Sequence, residues 1–333
     1  MSAERSAIPL FEEAMSFTYA AALRVVASVG VADRMGTGPR PVGELAKETG
    51  TDPGGLYRVL RLLAGRGVVR EAGERQFALT ELGEALRSDA EFPATAGILM
   101  FTDPMFWKVT HGVGAAVRDP RTSFDQIFGI GLDEYFAAHP ATEALFYDGI
   151  EAVSDAENPV VARSYEFPPD AVVVDVGGRF GGFLLAVLRA HPGVRGVLFD
   201  RDDMLARHRL DEADVAGRWE TVSGDFFVEV PAADVYVVKR NLHALGDEDS
   251  VRLLSTCRRS LRPEGRVLVI DAIIPEGNEP HLSKAMDFMM LANRVGGERT
   301  AAELAALFDA AGLRLNRVVP TASVMSIAEG VAR

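Results

Sequence analysis

Cysteine is almost missing from this 333-residue chain, where Cys257 stands alone. That excludes an internal disulfide and any metal cluster built on several thiolates. Cys257 lies among periodic apolar residues, Val251, Leu253, Leu254 and Leu261, so a buried, inert thiol is expected. Positive charge is also short: 35 Lys+Arg against 48 Asp+Glu leave a formal net charge of -13, a poor match for phosphate backbones or anionic membranes. No apolar run reaches the length of a bilayer span, and the start, MSAERSAIPLFEEAM, has no basic region followed by an apolar core. These absences predict a cytoplasmic protein with neither nucleic acid nor membrane as partner. No metal is expected, since no His, Asp and Glu grouping has convincing ligand spacing. Hydrophobic residues at 48% and charged residues at 25% are ordinary globular values, and the length allows two domains with large cores.

Apolar residues recur at helical spacing over residues 7 to 35 (Leu10, Phe11, Met15, Tyr19, Leu23, Val26, Val29) with more apolar surface than a solvent-facing helix needs, which predicts burial against another chain or domain. From Val42 to Arg87 the pattern reads helix, turn, helix, then a short hairpin around Gly73, a winged helix-turn-helix. Arg58, Arg61 and Arg66 would sit on a recognition helix, yet residues 43 to 87 hold seven basic and seven acidic side chains by direct count. Without net positive charge the element reads as packing or dimerisation rather than DNA binding. Residues 92 to 165 read as helical and rich in aromatics, including Phe101, Phe106, Trp107, Phe124, Phe128 and Tyr135. They predict mostly core and interdomain packing, with room to line a pocket for a flat apolar molecule.

From Asp170 onward strands and helices alternate: VVVDV, VRGVLFD, WETVSGDFF, ADVYVVK, GRVLVIDAII, LRLNRVVP and VMSIAEGVA are the strand candidates. This predicts an α/β fold with a doubly wound parallel sheet, the last two strands closing it as an antiparallel edge pair. The densest signal lies at residues 171 to 200, where a β-branched strand meets the glycine-rich turn DVGGRFGG, then a helix, then a second strand ending on Asp200. A carboxylate there can accept both hydroxyls of a ribose. The turn is not the dinucleotide fingerprint; it is closer to the DxGxGxG of S-adenosylmethionine enzymes, with Arg179 where that pattern has its middle glycine.

With these landmarks, and with SGDFF, VVKRNLH, LRPEGRVLVIDAIIPEGN and GGERT following in order, nearly the whole chain resembles the small-molecule O-methyltransferases that join a winged-helix dimerisation domain to a Rossmann-like catalytic domain. The resemblance implies three regions: 1–95 a winged-helix dimerisation domain, 96–165 a helical bridge contributing to the substrate pocket, and 166–333 the cofactor-binding domain. It implies S-adenosylmethionine as cofactor, a homodimer, and methylation of a hydroxyl on an aromatic or polyketide-type metabolite. Gly177, Gly178, Arg179 and Gly181 would lie along the methionine end of the cofactor, Asp200 at its ribose, Asp225 and Phe226 at its adenine, and Lys239 near its sulfonium and carboxylate. His243 would be the general base, with Asp271 and Glu298 orienting its ring; Trp107, Met286, Met290 and Asn293 would line the acceptor pocket. Two positions depart from the family pattern. His243, Ala244, Leu245 stand where His, Asp, Trp is usual, and Arg179 replaces a glycine. Relatives with this fold carry out hydroxylation, decarboxylation or cyclisation, so the two departures leave a repurposed, non-methylating enzyme as the alternative.

Overall fold

Helical spacing at the start of the chain breaks where Gly30 and Gly36 take positive φ (62° and 61°), a region open to glycine at little cost. Gly30 separates α2 (Phe17–Val29) from α3 (Val31–Met35) and Gly36 ends α3, while α1 (Ala3–Ala14) is set off from α2 by the turn at Met15–Ser16. The computed structural model describes residues 3 to 333, with side chains from residue 7. It divides into two units, one of Met1–Trp107 with His139–Val153, the other of Lys108–Ala138 with Ser154–Arg333.

In the first unit follow β1 (Arg40–Pro41), α4 (Val42–Thr49), α5 (Pro53–Ala64), β2 (Val69–Gly73) and β3 (Gln76–Leu79), with β3 between β1 and β2. The Asp52 side chain accepts from the Gly55 N–H at 2.6 Å and Pro53 takes the first turn of α5, a strong helix start. The winged helix is thus present, with a two-residue strand, β1, that its length hid from the sequence pattern. Arg61 lies over the ring of Tyr57 at 5.4 Å; Arg66, expected on the same helix, falls past its end at Ala64 and lies over the ring of Tyr19 at 5.2 Å, so two of the three arginines are stacked within the unit. Leu10, Phe11, Met15 and Phe17 are each more than 60% exposed. So large an uncovered apolar face is unusual for a monomer.

Short helices fill the next stretch: α6 (Glu81–Glu84), α7 (Thr95–Phe101), α8 (Pro104–His111), α9 (Ser123–Phe128) and α10 (Leu132–Ala138), then the long α11 (Pro140–Arg163). The segment 96–165 contributes to both units. The sheet of the second unit comprises β4 (Val172–Val176), β5 (Arg195–Asp200), β6 (Trp219–Ser223), β7 (Ala233–Lys239), β8 (Leu261–Asp271), β9 (Leu313–Pro320) and β10 (Ser326–Ala332), in the order β6-β5-β4-β7-β8-β10-β9. The first five are parallel; β10 is antiparallel to β8 and to β9. Connecting helices are α12 (Gly182–Ala190), α13 (Asp202–Leu205), α14 (Asp247–Ser260), α15 (Leu282–Asn293) and α16 (Ala301–Ala310). Alternate residues of the central strands feed opposite faces. Val173, Val235, Val237 and Leu268 pack with α12, while Val174, Tyr236, Val238 and Val267 pack with α14 and α16. Cys257 is in that second layer, where burial pushes its thiol up to about 12.

The strand read in WETVSGDFF stops early. Gly224 presses on the Phe199 ring so closely that a Cβ would come within 2.7 Å, and Asp225 folds the chain back by accepting the Phe227 N–H at 2.8 Å. Among the described residues no helix is long and apolar enough to cross a membrane.

Candidate functional site

Strand order puts the carboxyl ends of β4, β5 and β7 side by side, where an open α/β sheet collects its ligands. The glycine-rich loop leaves β4 with Gly177 at φ 66° and Gly181 at φ 77°. A Cβ on Gly178 would lie 2.6 Å from the Asp175 carboxyl and 2.7 Å from Leu198 Cδ1, so only glycine fits. Arg179 also takes a left-handed backbone, φ 51°, a conformation that costs an L-residue roughly 1–2 kcal/mol. Its N–H donates to Asp200 Oδ2 at 2.8 Å, while Arg201 N–H donates to Asp200 Oδ1 at 2.7 Å. The loop therefore grips the carboxylate that ends β5 and fixes its direction.

Beneath the loop two ionisable groups are buried. Burial, with Asp200's charge adding, pushes Asp175 up to about 7 against the opposing influence of Lys239 and Arg179; its Oδ2 has no hydrogen-bond partner. Burial likewise pulls Lys239, at the end of β7, down to about 7, with Arg240 adding to the effect. The Ser154 Oγ and Asn158 Oδ1 atoms of α11 are also buried without partners, and Asn158 lies beside Gly182. Orphaned polar atoms around a cradle that any Cβ would fill mark a place built for a polar ligand. Asp225 is exposed beyond β6, next to the half-buried Phe226. Acids at Asp200 and Asp225, with an aromatic next to the latter, suit a neutral nucleoside better than a phosphate.

The second cluster follows β7. Asn241 Nδ2 donates to the carbonyls of Val176 (2.9 Å) and Gly177 (3.3 Å), tying this strand end to the glycine loop. Two residues on, the 3-10 turn Leu242–Ala244 presents His243. Its Nδ1 is 2.8 Å from Glu298 Oε1, and the Glu298 side chain is fully buried while that of His243 is 16% exposed. A carboxylate oxygen can only accept, so facing the Glu298 carboxylate Nδ1 carries the proton, and in the neutral ring the lone pair is then on Nε2. Asp271, at the end of β8, is buried close by, but its Oδ1 has no partner. Of the two acids expected to orient the ring, Glu298 bonds to it, whereas the buried Asp271 Oδ1 has no partner.

Burial pushes Asp271 up to about 6, with Glu298 also raising it and His243 opposing. The folded chain thus holds this proton more tightly than the unfolded one, whose carboxyl keeps the ordinary 3.8. The resulting stability is complete below about pH 4 and lost as pH rises through about 6. Asp271→Asn has no such proton to lose. Relative to the parent, its unfolding free energy should improve by about 2 kcal/mol between about pH 4 and pH 7.5, read by urea denaturation. A difference that stays constant across that window contradicts burial as the cause.

Met286, Met290 and Asn293 stand on α15, the methionines half-buried and Asn293 buried with its Oδ1 unpartnered. Trp107, on α8, belongs to the first unit and is 38% exposed. Three residues escaped sequence reasoning. Asp287 on α15 accepts the Glu298 N–H at 3.1 Å. Arg299 bonds to the His243 turn. Arg240, at φ 55°, forms a buried two-pronged ion pair with Glu157 at 2.8 and 2.9 Å. Only the text GGERT, which contains Arg299, hinted at any of them. Nothing local signals the last, whose partners are 83 residues apart.

A family model described as the O-methyltransferase domain matches residues 110–314, and one described as the O-methyltransferase dimerisation domain matches residues 11–89. Phenazine O-methyltransferase PhzM of Lysobacter antibioticus is 38% identical over 313 residues, 92% of this chain and 91% of that protein. The mitomycin biosynthesis 6-O-methyltransferase of Streptomyces lavendulae is 36% identical over 306 residues, 90% and 87% of the two chains. The crystal structure of CalO1, a methyltransferase in calicheamicin biosynthesis, in its SAH-bound form, shares 61% identity and a TM-score of 0.95 over 100% of both chains.

Proposed function

This chain belongs to the O-methyltransferase family, and from that premise we propose that it methylates a hydroxyl of an aromatic or polyketide-type secondary metabolite, with S-adenosylmethionine as methyl donor. The observation that carries the reading is the His243–Glu298 pair, 2.8 Å apart, at the strand end that Asn241 ties to the glycine loop. When bound, S-adenosylmethionine supplies a methyl group already activated by its sulfonium, so the protein's part is mostly alignment.

Gly177, Gly178 and Gly181 keep side chains out of the cradle, and Asp200 accepts the ribose hydroxyls. Asp225 and Phe226 take the adenine. Lys239 and Arg179 bring positive charge to the carboxylate end, and the buried Asp175 brings negative charge to the same cradle. His243 Nε2 removes the acceptor's hydroxyl proton; Glu298 holds the Nδ1 proton and fixes the tautomer, and the Asp271 charge favours the imidazolium that forms. Met286, Met290 and Asn293 contact the acceptor, the thioethers adapting to a flat ring system. Residues 1–95 form the dimer contact, a role supported by the uncovered Leu10, Phe11, Met15 and Phe17 and by the match to the dimerisation domain.

Two measurements test this. Calorimetry with S-adenosylhomocysteine should give binding in the micromolar range, and Asp200→Ala should weaken it roughly ten- to hundredfold, the worth of hydrogen bonds to a charged group. Incubation with S-adenosylmethionine and a panel of phenolic acceptors should yield a product one methylene heavier. Cofactor binding with no methylated product from any acceptor points instead to the repurposed chemistry that Ala244 and Arg179 leave open.

A further inference from the structure

Glu298 and Arg299 are neighbours in sequence, and both serve the turn that carries His243. Glu298 bonds to the ring. Arg299 reaches the main chain on either side of it: Nη1 donates to the Leu242 carbonyl and Nη2 to the Leu245 carbonyl, both at 2.8 Å. The same guanidinium touches Asp247 Oδ1 at 2.9 Å and Ser250 Oγ at 3.4 Å. The Asp247 carboxylate is 80% exposed, so that ion pair contributes little, whereas the two carbonyl contacts are part-buried. The platform beneath Arg299 is itself fixed. Its carbonyl accepts the Ile274 N–H at 2.9 Å, and Asp287 accepts the Glu298 N–H at 3.1 Å.

We propose that Arg299 is a positioning residue for the base: its fork spans the Leu242 and Leu245 carbonyls and holds the His243 turn at the separation from Glu298 at which Nδ1 stays bonded. This rests on the reading of His243 as general base. A planar guanidinium can hold two carbonyls at once, each by its own terminal nitrogen, while a lysine ammonium has a single nitrogen with which to reach them. Released from the fork, the turn keeps its short internal hydrogen bonds, Leu245 N–H to the Leu242 carbonyl at 3.0 Å and Ala244 N–H to the Asn241 carbonyl at 3.1 Å, but loses the brace across its far end, and the imidazole swings with it.

The test compares Arg299→Ala, Arg299→Lys, His243→Ala and the double variant His243→Ala/Arg299→Ala in full-length protein. Arg299→Ala is expected to lower kcat roughly 10²-fold, the usual consequence of a displacement of about 1 Å, while S-adenosylhomocysteine affinity measured by calorimetry changes less than about threefold. The low-field proton resonance of the His243 Nδ1–H should broaden or move, and millimolar guanidinium should restore part of the rate. If Arg299 acts through His243, removing it from the His243→Ala background leaves the residual rate within roughly twofold, because the two losses are not additive. Loss of the same factor in that background identifies a merely structural role and overturns the proposal. So does wild-type kcat in Arg299→Ala while His243→Ala is inactive, an outcome that leaves the base standing. Wild-type turnover in His243→Ala overturns the base assignment itself and the positioning role with it. Should Arg299→Ala fail to fold, Arg299→Lys carries the same comparisons, with intact cofactor binding as the control for folding.

Discussion

Replacing His243 by Gln is expected to lower kcat by roughly three orders of magnitude, within the range of a positioned general base, and to leave S-adenosylhomocysteine affinity within about twofold of wild type. The split follows from the geometry. The glycine loop and Asp200 occupy the ends of β4 and β5, and none of their contacts passes through the imidazole. Glutamine is close to histidine in length and can still donate to Glu298 Oε1, so the turn keeps its place and the lost element is the basic Nε2. The size of the loss should depend on the acceptor. A phenol already ionised at the assay pH needs no base and should be the least affected, whereas an un-ionised phenol should show the full effect. Equal losses across acceptors of graded acidity would instead mean that His243 places the acceptor and moves no proton. Glu298→Gln gives a smaller version of the same result, since its amide can present an NH2 to Nδ1 and favour the wrong tautomer.

Much of this architecture is legible in the chain because it is written in short-range patterns. The β-branched runs of β4 and β7, the turn DVGGRFGG, the acid closing β5 and the alternation after Asp170 each lie within one strand-loop-helix unit, and the sheet has the parallel order with an antiparallel edge that they imply. His243 is singled out differently, by the resemblance of VVKRNLH to the family pattern, and the structure places it just past the end of β7. What the pattern hides is the tertiary wiring. The Arg299 contact to Leu242 closes 57 residues of chain and the Arg240–Glu157 pair 83; neither arginine differs in its neighbours from a solvated one. The early end of β6 was hidden too, because it depends on the Phe199 ring lying under Gly224. Arg179 falls between these cases. Its departure from the glycine pattern is visible in the text, and the positive φ that makes it strained is what the missing glycine would have accommodated. An L-residue kept in a left-handed conformation beside a binding cradle is the kind of local cost that concentrates at functional sites.

Gly296→Ala should be the most damaging single-methyl change in the base cluster. An ideal Cβ at this position falls 2.1 Å from the His243 carbonyl oxygen and 2.8 Å from the backbone carbons of His243 and Ala244. These are main-chain atoms, so no rotamer change relieves the overlap and one segment must move by an ångström or more. The segment 296–300 is held by the Ile274 N–H to Arg299 carbonyl bond, by Asp287 and by the capping box in which Thr300 and Glu303 start α16. The turn is held by the Arg299 fork and the Nδ1 bond. Pushing the two apart strains every one of these contacts, and overpacking of this kind costs about 1–3 kcal/mol in stability. Because the catalytic arrangement is lost before the fold is, kcat should fall by roughly 10²-fold or more while cofactor affinity stays near wild type, with thermal melting lowered by several degrees. Gly297→Ala is the control. Its added methyl would meet only the Asp287 Oδ1 atom, at 2.9 Å, a side-chain tip that can give way at the cost of the single Glu298 N–H bond it accepts, while the His243 turn is left untouched, so its loss of turnover should be smaller. Equal kcat for the two alanine variants would show that the approach of Gly296 to the His243 carbonyl does not govern the base.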